Sequence, residues 1–148
     1  NKFENEVKIE IDKLRRYGLE PFSVLLFDVD NFKSINDRFG HMVGDSVLQK
    51  LSKIVKNSLR SSDIIARWGG EEFVAMLPFT GGENAYKAAE VLTRTIAQTR
   101  LCDEVPHITV SMGVTTFSEG DSVFTLLRRA DEGMYMAKKT GKNRVVAK

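Results

Sequence analysis

Ser23-Val24-Leu25-Leu26-Phe27 is almost entirely apolar, shows no alternation, and stops abruptly at Asp28-Val29-Asp30. A strand with one wet face alternates apolar and polar residues, so an unbroken run predicts cover on both faces and a central place in a sheet. The two acids at its end are the chain's most unusual local feature. A charge placed near a core needs a cation or hydrogen-bond donors.

The rest of the pattern surrounds that strand with helices. Phe3, Val7, Ile11 and Leu14 form one stripe of a helix predicted to end near Gly18, with Pro21 beyond. Phe32 to Phe39 predicts a short helix closed by Gly40, and Val47, Leu48, Leu51, Ile54, Val55 and Leu59 mark the buried face of a longer one. Asp63 to Trp68 and Glu71 to Leu77 read as two strands around Gly69-Gly70, a hairpin whose turn residues are expected at positive φ. Ala85, Ala89, Leu92 and Ile96 predict another helix, Ile108 to Phe117 a strand, Val123 to Lys139 a last helix stopped at Gly141, and Val145-Val146 an edge strand. This order predicts an α+β fold, a mainly antiparallel central sheet flanked by helices. At 148 residues, near the ~150 typical of one domain, it is read as a single unit over 1–148.

Charge and cysteine usage narrow the functional classes. Lys plus Arg is 22 against 20 for Asp plus Glu, and a net +2 gives no basis for a nucleic-acid groove. The longest apolar run is far short of the ~18 residues that begin to argue for a membrane span, so this piece is expected to be soluble, with no membrane partner. The single cysteine, Cys102, fits a reducing compartment, and a cytoplasmic location is expected. The chain starts at Asn1 without an initiator methionine, and it reads as an N-terminally truncated fragment whose upstream sensor or membrane anchor lies outside it.

A second acid pair, Glu71-Glu72, follows the Gly-Gly turn, so a hairpin beside the central strand would let Asp28 and Glu71 face one another. Facing carboxylates repel, and hard oxygen ligands with open positions suit magnesium and a nucleoside triphosphate. Capped helix ends or exposed turns account for such acids equally well by spacing alone. Thr140-Gly141-Lys142 is not a P-loop, because the required Gly five places earlier is Met136 and Asn143 replaces Ser/Thr. No Gly-x-Gly-x-x-Gly is present.

Arg67-Trp68-Gly69-Gly70-Glu71-Glu72-Phe73 resembles the signature of the GGDEF family of diguanylate cyclases in its Gly-Gly-Glu-Glu-Phe variant. Further blocks match in order: Phe27-Asp28-Val29-Asp30-Asn31-Phe32-Lys33, Asn36-Asp37, Gly40-His41, Gly44-Asp45, Val110 to Val114, Ala130-Asp131, Tyr135 to Lys138 and Gly141 to Arg144. The resemblance implies a palm-like nucleotidyl cyclase sheet. It also implies magnesium, with manganese as an alternative, held by Asp28, the Val29 carbonyl and Glu71, with Glu72 in electrostatic support.

The same resemblance implies the remaining roles. Backbone N–H groups around Asn31, Phe32 and Lys33 would meet the triphosphate at a helix N-terminus, and Lys138 and Lys142 would hold the terminal phosphates. Lys142 stands where the family more often has Arg, which keeps the charge but loses the bidentate fork. Asn36 and Asp45 match the guanine-reading residues, Asp45 accepting from the base N1–H and amine; helix capping is the alternative for both. Arg60 and Asp63 match an inhibitory site for the product, cyclic di-GMP, with a surface ion pair as the alternative. The implied activity is condensation of two GTP into cyclic di-GMP and two pyrophosphates by a homodimer, with Asp28, Glu71 and Glu72 in the catalytic centre. The competing reading is a catalytically silent receptor for cyclic di-GMP or GTP.

Overall fold

A strand that is apolar at every position has to be sandwiched, and the computed structural model, which describes residues 1–18 and 21–148, shows how. All seven residues of β1 (Ser23–Val29) are buried. Leu25, Phe27 and Val29 face one core, shared with Val47, Leu51 and Val55 of α3 (His41–Ser58) and Ala85, Ala89, Leu92 and Ile96 of α4 (Gly82–Gln98). Val24 and Leu26 face the other, shared with Phe3, Val7 and Ile11 of α1 (Lys2–Tyr17) and Leu126, Ala130 and Met134 of α5 (Val123–Lys139). Each fully buried side chain of this kind contributes about 1.5–3 kcal/mol, so both faces of β1 are held by the hydrophobic effect. The result is three layers, helices on either side of one sheet.

That sheet has the order β2-β3-β1-β4-β5, with β2 Ile64–Gly69, β3 Glu72–Leu77, β4 Val110–Thr116 and β5 Arg144–Ala147. β1 pairs antiparallel with β3 and β4, and β5 joins β4 in parallel. Phe27 stacks on Phe73 across the β1–β3 pair, ring centroids 5.5 Å apart. The mainly antiparallel, palm-like α+β architecture expected from the sequence is the one found, and its edge is the parallel β5.

The hairpin departs from expectation in its turn. Neither Gly69 nor Gly70 has positive φ. The pairing register shifts between Arg67 and Gly69, so Gly69 opposes Glu72 and the turn residues are Gly70 and Glu71. A bulge in the arm, rather than left-handed glycines, closes this hairpin. Trp68 packs edge-on against Phe3 of α1, 6.0 Å between centroids.

α5 is clamped against β4, which fixes where its C-terminal end arrives. A Cβ on Gly113 would lie 1.9 Å from the Ala130 carbonyl oxygen, so only glycine allows this approach. At the N-terminal end of α5, Arg129 forks onto Asp121 (2.6 and 2.8 Å) and also donates to the Thr116 carbonyl and the Thr115 hydroxyl. That fork holds the Asp121 carboxyl at a pKa of about 2. Ser122 and Thr125 complete a capping box that starts the helix.

Candidate active site

The end of β1 collects charge from two distant stretches of chain, the hairpin and α5. Asp28 opposes Glu72 of β3 on one side and Ser111 of β4 on the other. Glu71, expected to face Asp28 directly, sits instead on the hairpin turn, because the β1–β3 ladder runs in unbroken register and ends on the Asp28–Glu72 pair. Its charge still reaches Asp28 and Glu72 and adds to the repulsion each carboxylate feels. From the last turn of α5, Lys138 brings its ammonium 2.5 Å from Asp28 Oδ1 and 3.3 Å from Asp30 Oδ1.

These groups shift one another's ionisation. Burial pushes the Asp28 carboxyl up, Lys138 opposes it, and Glu71 and Asp30 add to the rise. Glu72 is pushed up by burial and then by Asp28, Asp131 and Glu71. Burial works against the charged form of Lys138, but its pairing with Asp28 and Asp30 wins and raises its pKa. One lysine thus serves an end of the sheet where several carboxylates crowd together. Asp28 Oδ1 is buried and, although close to Lys138, accepts no well-aligned hydrogen bond.

Asp30 behaves differently from its neighbour. Burial alone would raise its pKa, yet bonds from Ser111 (2.6 Å), Thr109 (2.7 Å) and the Asn143 N–H (3.0 Å), with Lys138 beyond them, hold it below the usual carboxylate range. The sequence shows that Asp30 needs a partner but not which one, since Thr109, Ser111 and Asn143 lie 79 to 113 residues away.

The chain then turns into α2 (Phe32–Phe39) through Asn31, the N-cap, at φ 58°. Asn31 makes no capping bond with its side chain; its Oδ1 accepts instead from Lys142 Nζ at 2.8 Å. Lys142 therefore lies over the start of α2, where first-turn N–H groups have no partner within the helix. Lys33, in that first turn, is exposed and pairs with Asp37 at 3.7 Å. Phe32 is buried and anchors the helix.

Asn36 and Asp45 lie on the α2–α3 helix pair. α3 begins at His41 with Gly40 as its N-cap, so Asp45 is inside the helix and caps nothing, and Asn36 lies within α2. Gly44 makes room for Asn36: a Cβ there would fall 1.9 Å from Asn36 Oδ1. That oxygen is buried and has no hydrogen-bond partner among the described residues.

Arg60 and Asp63 sit away from this cluster, at the turn before β2. Arg60 Nη2 lies 3.1 Å from Asp63 Oδ1 and also donates to the Pro78 carbonyl and the Thr80 hydroxyl. The ion pair expected as the alternative is present, and the guanidinium is still more than half exposed.

The site thus lies on a palm-like sheet whose central strand ends in acids, with an acidic hairpin beside it and Lys138 from the last turn of α5. The family model described as "Diguanylate cyclase, GGDEF domain" matches residues 1–144, and the chain belongs to that family. It is 43% identical over 139 residues to the response regulator PleD of Caulobacter vibrioides, which covers 88% of this chain and 30% of that protein. It is 41% identical over 128 residues to the diguanylate cyclase DgcM of Escherichia coli, covering 86% and 31%. The chain thus spans about a third of the length of these curated relatives. Its fold matches the active GGEEF domain of a diguanylate cyclase from Vibrio cholerae with a TM-score of 0.92, at 33% identity and covering 99% and 94% of the two chains. The GGDEF domain of DgcB from Caulobacter crescentus, solved in complex with c-di-GMP, matches at 0.88, with 27% identity and 98% and 87% covered. Among the described residues, no helix is long and apolar enough to cross a membrane.

Proposed function

We propose that this domain is a diguanylate cyclase that condenses two GTP into cyclic di-GMP. The observation that carries this is the meeting of Asp28, Glu71, Glu72 and Lys138 at one end of the sheet, from β1, the hairpin and α5. Family membership supports the activity, and the site chemistry supports the substrate.

The donor set fits a hard divalent cation. The Asp28 and Glu71 carboxylates and the Val29 carbonyl are hard oxygen donors, and triphosphate oxygens and water would supply the remaining ligands of such an ion. Asp28, Glu71 and the Val29 carbonyl would hold magnesium or manganese, with Glu72 adding negative potential. Bound there, the ion supplies charge neutralisation and Lewis acidity.

The remaining residues bind and orient. N–H groups at Asn31, Phe32 and Lys33 receive phosphate oxygens at the start of α2, and Lys138 and Lys142 balance the terminal phosphates. The unpartnered Asn36 Oδ1 and the Asp45 carboxylate accept from the guanine N1–H and amine, a donor pair adenine lacks. The ribose 3′-hydroxyl of one GTP loses its proton to solvent as its oxygen bonds to the α-phosphorus of the other and the bond from that phosphorus to pyrophosphate breaks, and the same step with the roles reversed closes the ring. Each domain presents one GTP, so two copies must face each other. No nucleophilic side chain is needed, because phosphoryl transfer depends on positioning and charge.

Arg60 and Asp63 provide a second site, for the product, with a guanidinium that can stack on guanine or fork to phosphate. Arg60→Ala is expected to relieve product inhibition with turnover preserved; unchanged inhibition rejects this site.

The test of the catalytic assignment is Glu71→Gln. Glu71 lies on a turn, so folding should change by no more than ~0.5 kcal/mol, while cyclic di-GMP formation should fall by ~100-fold or more. Turnover at the level of the unmodified domain would reject the assignment.

A further inference from the structure

We infer that Asp30 is a positioning residue for triphosphate binding, acting through the loop that carries Lys142. The inference rests on the nucleotide reading above. Asp30 itself is turned inward, with a side chain only 1% exposed.

Its two oxygens fasten three segments together. Oδ1 accepts from Ser111 Oγ and lies 3.3 Å from Lys138 Nζ; Oδ2 accepts from Thr109 Oγ1 and the Asn143 N–H. The Asp30 N–H donates in turn to the Thr109 carbonyl at 2.9 Å. The end of β1 is thereby tied to the start of β4, to the last turn of α5 and to the loop after it.

That loop is held in a conformation side chains resist. Lys142 and Asn143 both have positive φ, 61° and 46°, a region unfavourable for residues with a Cβ unless the surroundings enforce it. The Asp30 bond to Asn143 N supplies that enforcement from one side, and the Lys142 N–H bond to the Ala137 carbonyl (2.9 Å) supplies it from the other. The consequence is that Lys142 reaches across to Asn31 Oδ1, over the start of α2. Released from Asp30, the loop would relax and its ammonium would leave the phosphate cradle, while Asn36 and Asp45, on separate helices, would stay in place.

Asn is not a substitute for this Asp. All four partners donate, and the Asn143 N–H and the Lys138 ammonium cannot accept, so an amide NH₂ in place of either oxygen faces a donor. The isosteric change therefore removes the function while keeping the shape.

The experiment compares binding of 3′-deoxy-GTP, which lacks the attacking hydroxyl, with binding of GMP, which lacks the terminal phosphates, in the presence of magnesium. Asp30→Asn should weaken 3′-deoxy-GTP by about tenfold or more and leave GMP within about twofold. In a Lys142→Ala background the same change should cost much less, since its route is already gone. The double variant Thr109→Val/Ser111→Ala, which frees the carboxylate from both hydroxyls but keeps its charge, should shift 3′-deoxy-GTP in the same direction and provides the test if Asp30→Asn does not fold. Equal loss for both nucleotides, no loss for either, or full additivity with Lys142→Ala overturns the inference. Failure of the unmodified domain to bind either nucleotide would overturn the nucleotide reading itself and this inference with it, and shows up before any variant is made.

Discussion

Lys138 Nζ lies 2.5 Å from Asp28 Oδ1, so the cation assigned to the phosphates occupies, without them, the oxygen assigned to the metal. A metal ion bound at that oxygen would repel the ammonium and compete with it for the carboxylate. On the proposed reading, Lys138 turns from Asp28 toward the phosphates as the metal nucleotide binds.

This competition predicts opposite effects from one substitution. Lys138→Met should raise the affinity of the nucleotide-free domain for manganese by about tenfold, roughly the worth of one close charge in a partly solvated site. The same variant should bind GTP more weakly. Manganese titration followed by electron paramagnetic resonance reads the first effect, and unchanged metal affinity would show that the pair does not guard the site.

The guanine reading predicts a clean separation of binding from folding. Gly44→Ala places a methyl group against the tip of Asn36, a flexible side chain that can swing away. The fold should survive, at a cost of about 1–3 kcal/mol from crowding Asn36 and the buried Phe32 ring, but the Asn36 acceptor would be displaced. Binding of GTP should fall by about tenfold, the worth of one well-placed hydrogen bond, with the preference over ATP reduced. Calorimetric titration with both nucleotides checks it.

Stability in acid should depend on Asp121. Its folded-state pKa, about 2, lies below the ordinary aspartate value of 3.8, so its stabilising contribution is complete above pH ~4 and is lost as pH falls toward 2. Asp121→Asn should cost on the order of 2 kcal/mol at pH 7, and the gap to the unmodified domain should narrow below pH ~4. Asp28 and Glu72, whose pKa values are raised, act in the opposite sense and favour the fold as they become protonated. Urea unfolding of both proteins across pH separates the two, because the carboxylates at the end of β1 are common to them.

Elements with strong local signals were legible in the sequence. α2 spans Phe32–Phe39 and α5 Val123–Lys139, as apolar spacing and stop signals predicted, and the unbroken run at Ser23 to Phe27 is the doubly covered strand. α3 starts six residues before its apolar stripe, at His41, because its first turn carries exposed residues such as Met42, which leave no periodic mark. Glu72 rather than Glu71 lies opposite Asp28 because the β1–β3 ladder, in unbroken register from the Ser23–Leu77 pair, ends there, a matter of strand pairing that composition does not carry. Asp30 was visible only as an acid in need of company, since its partners come from β4 and from the loop after α5. The fold followed from local patterns, whereas the wiring of the site depends on contacts made across the whole chain.

The central claim is that two copies of this domain join two GTP molecules. It is tested most directly by incubating the domain with GTP and magnesium over a range of protein concentrations and separating the nucleotides by chromatography. The account predicts cyclic di-GMP and pyrophosphate, formed with a more than linear dependence on protein concentration until dimerisation saturates. No cyclic di-GMP, even when two copies are tethered together, would contradict it.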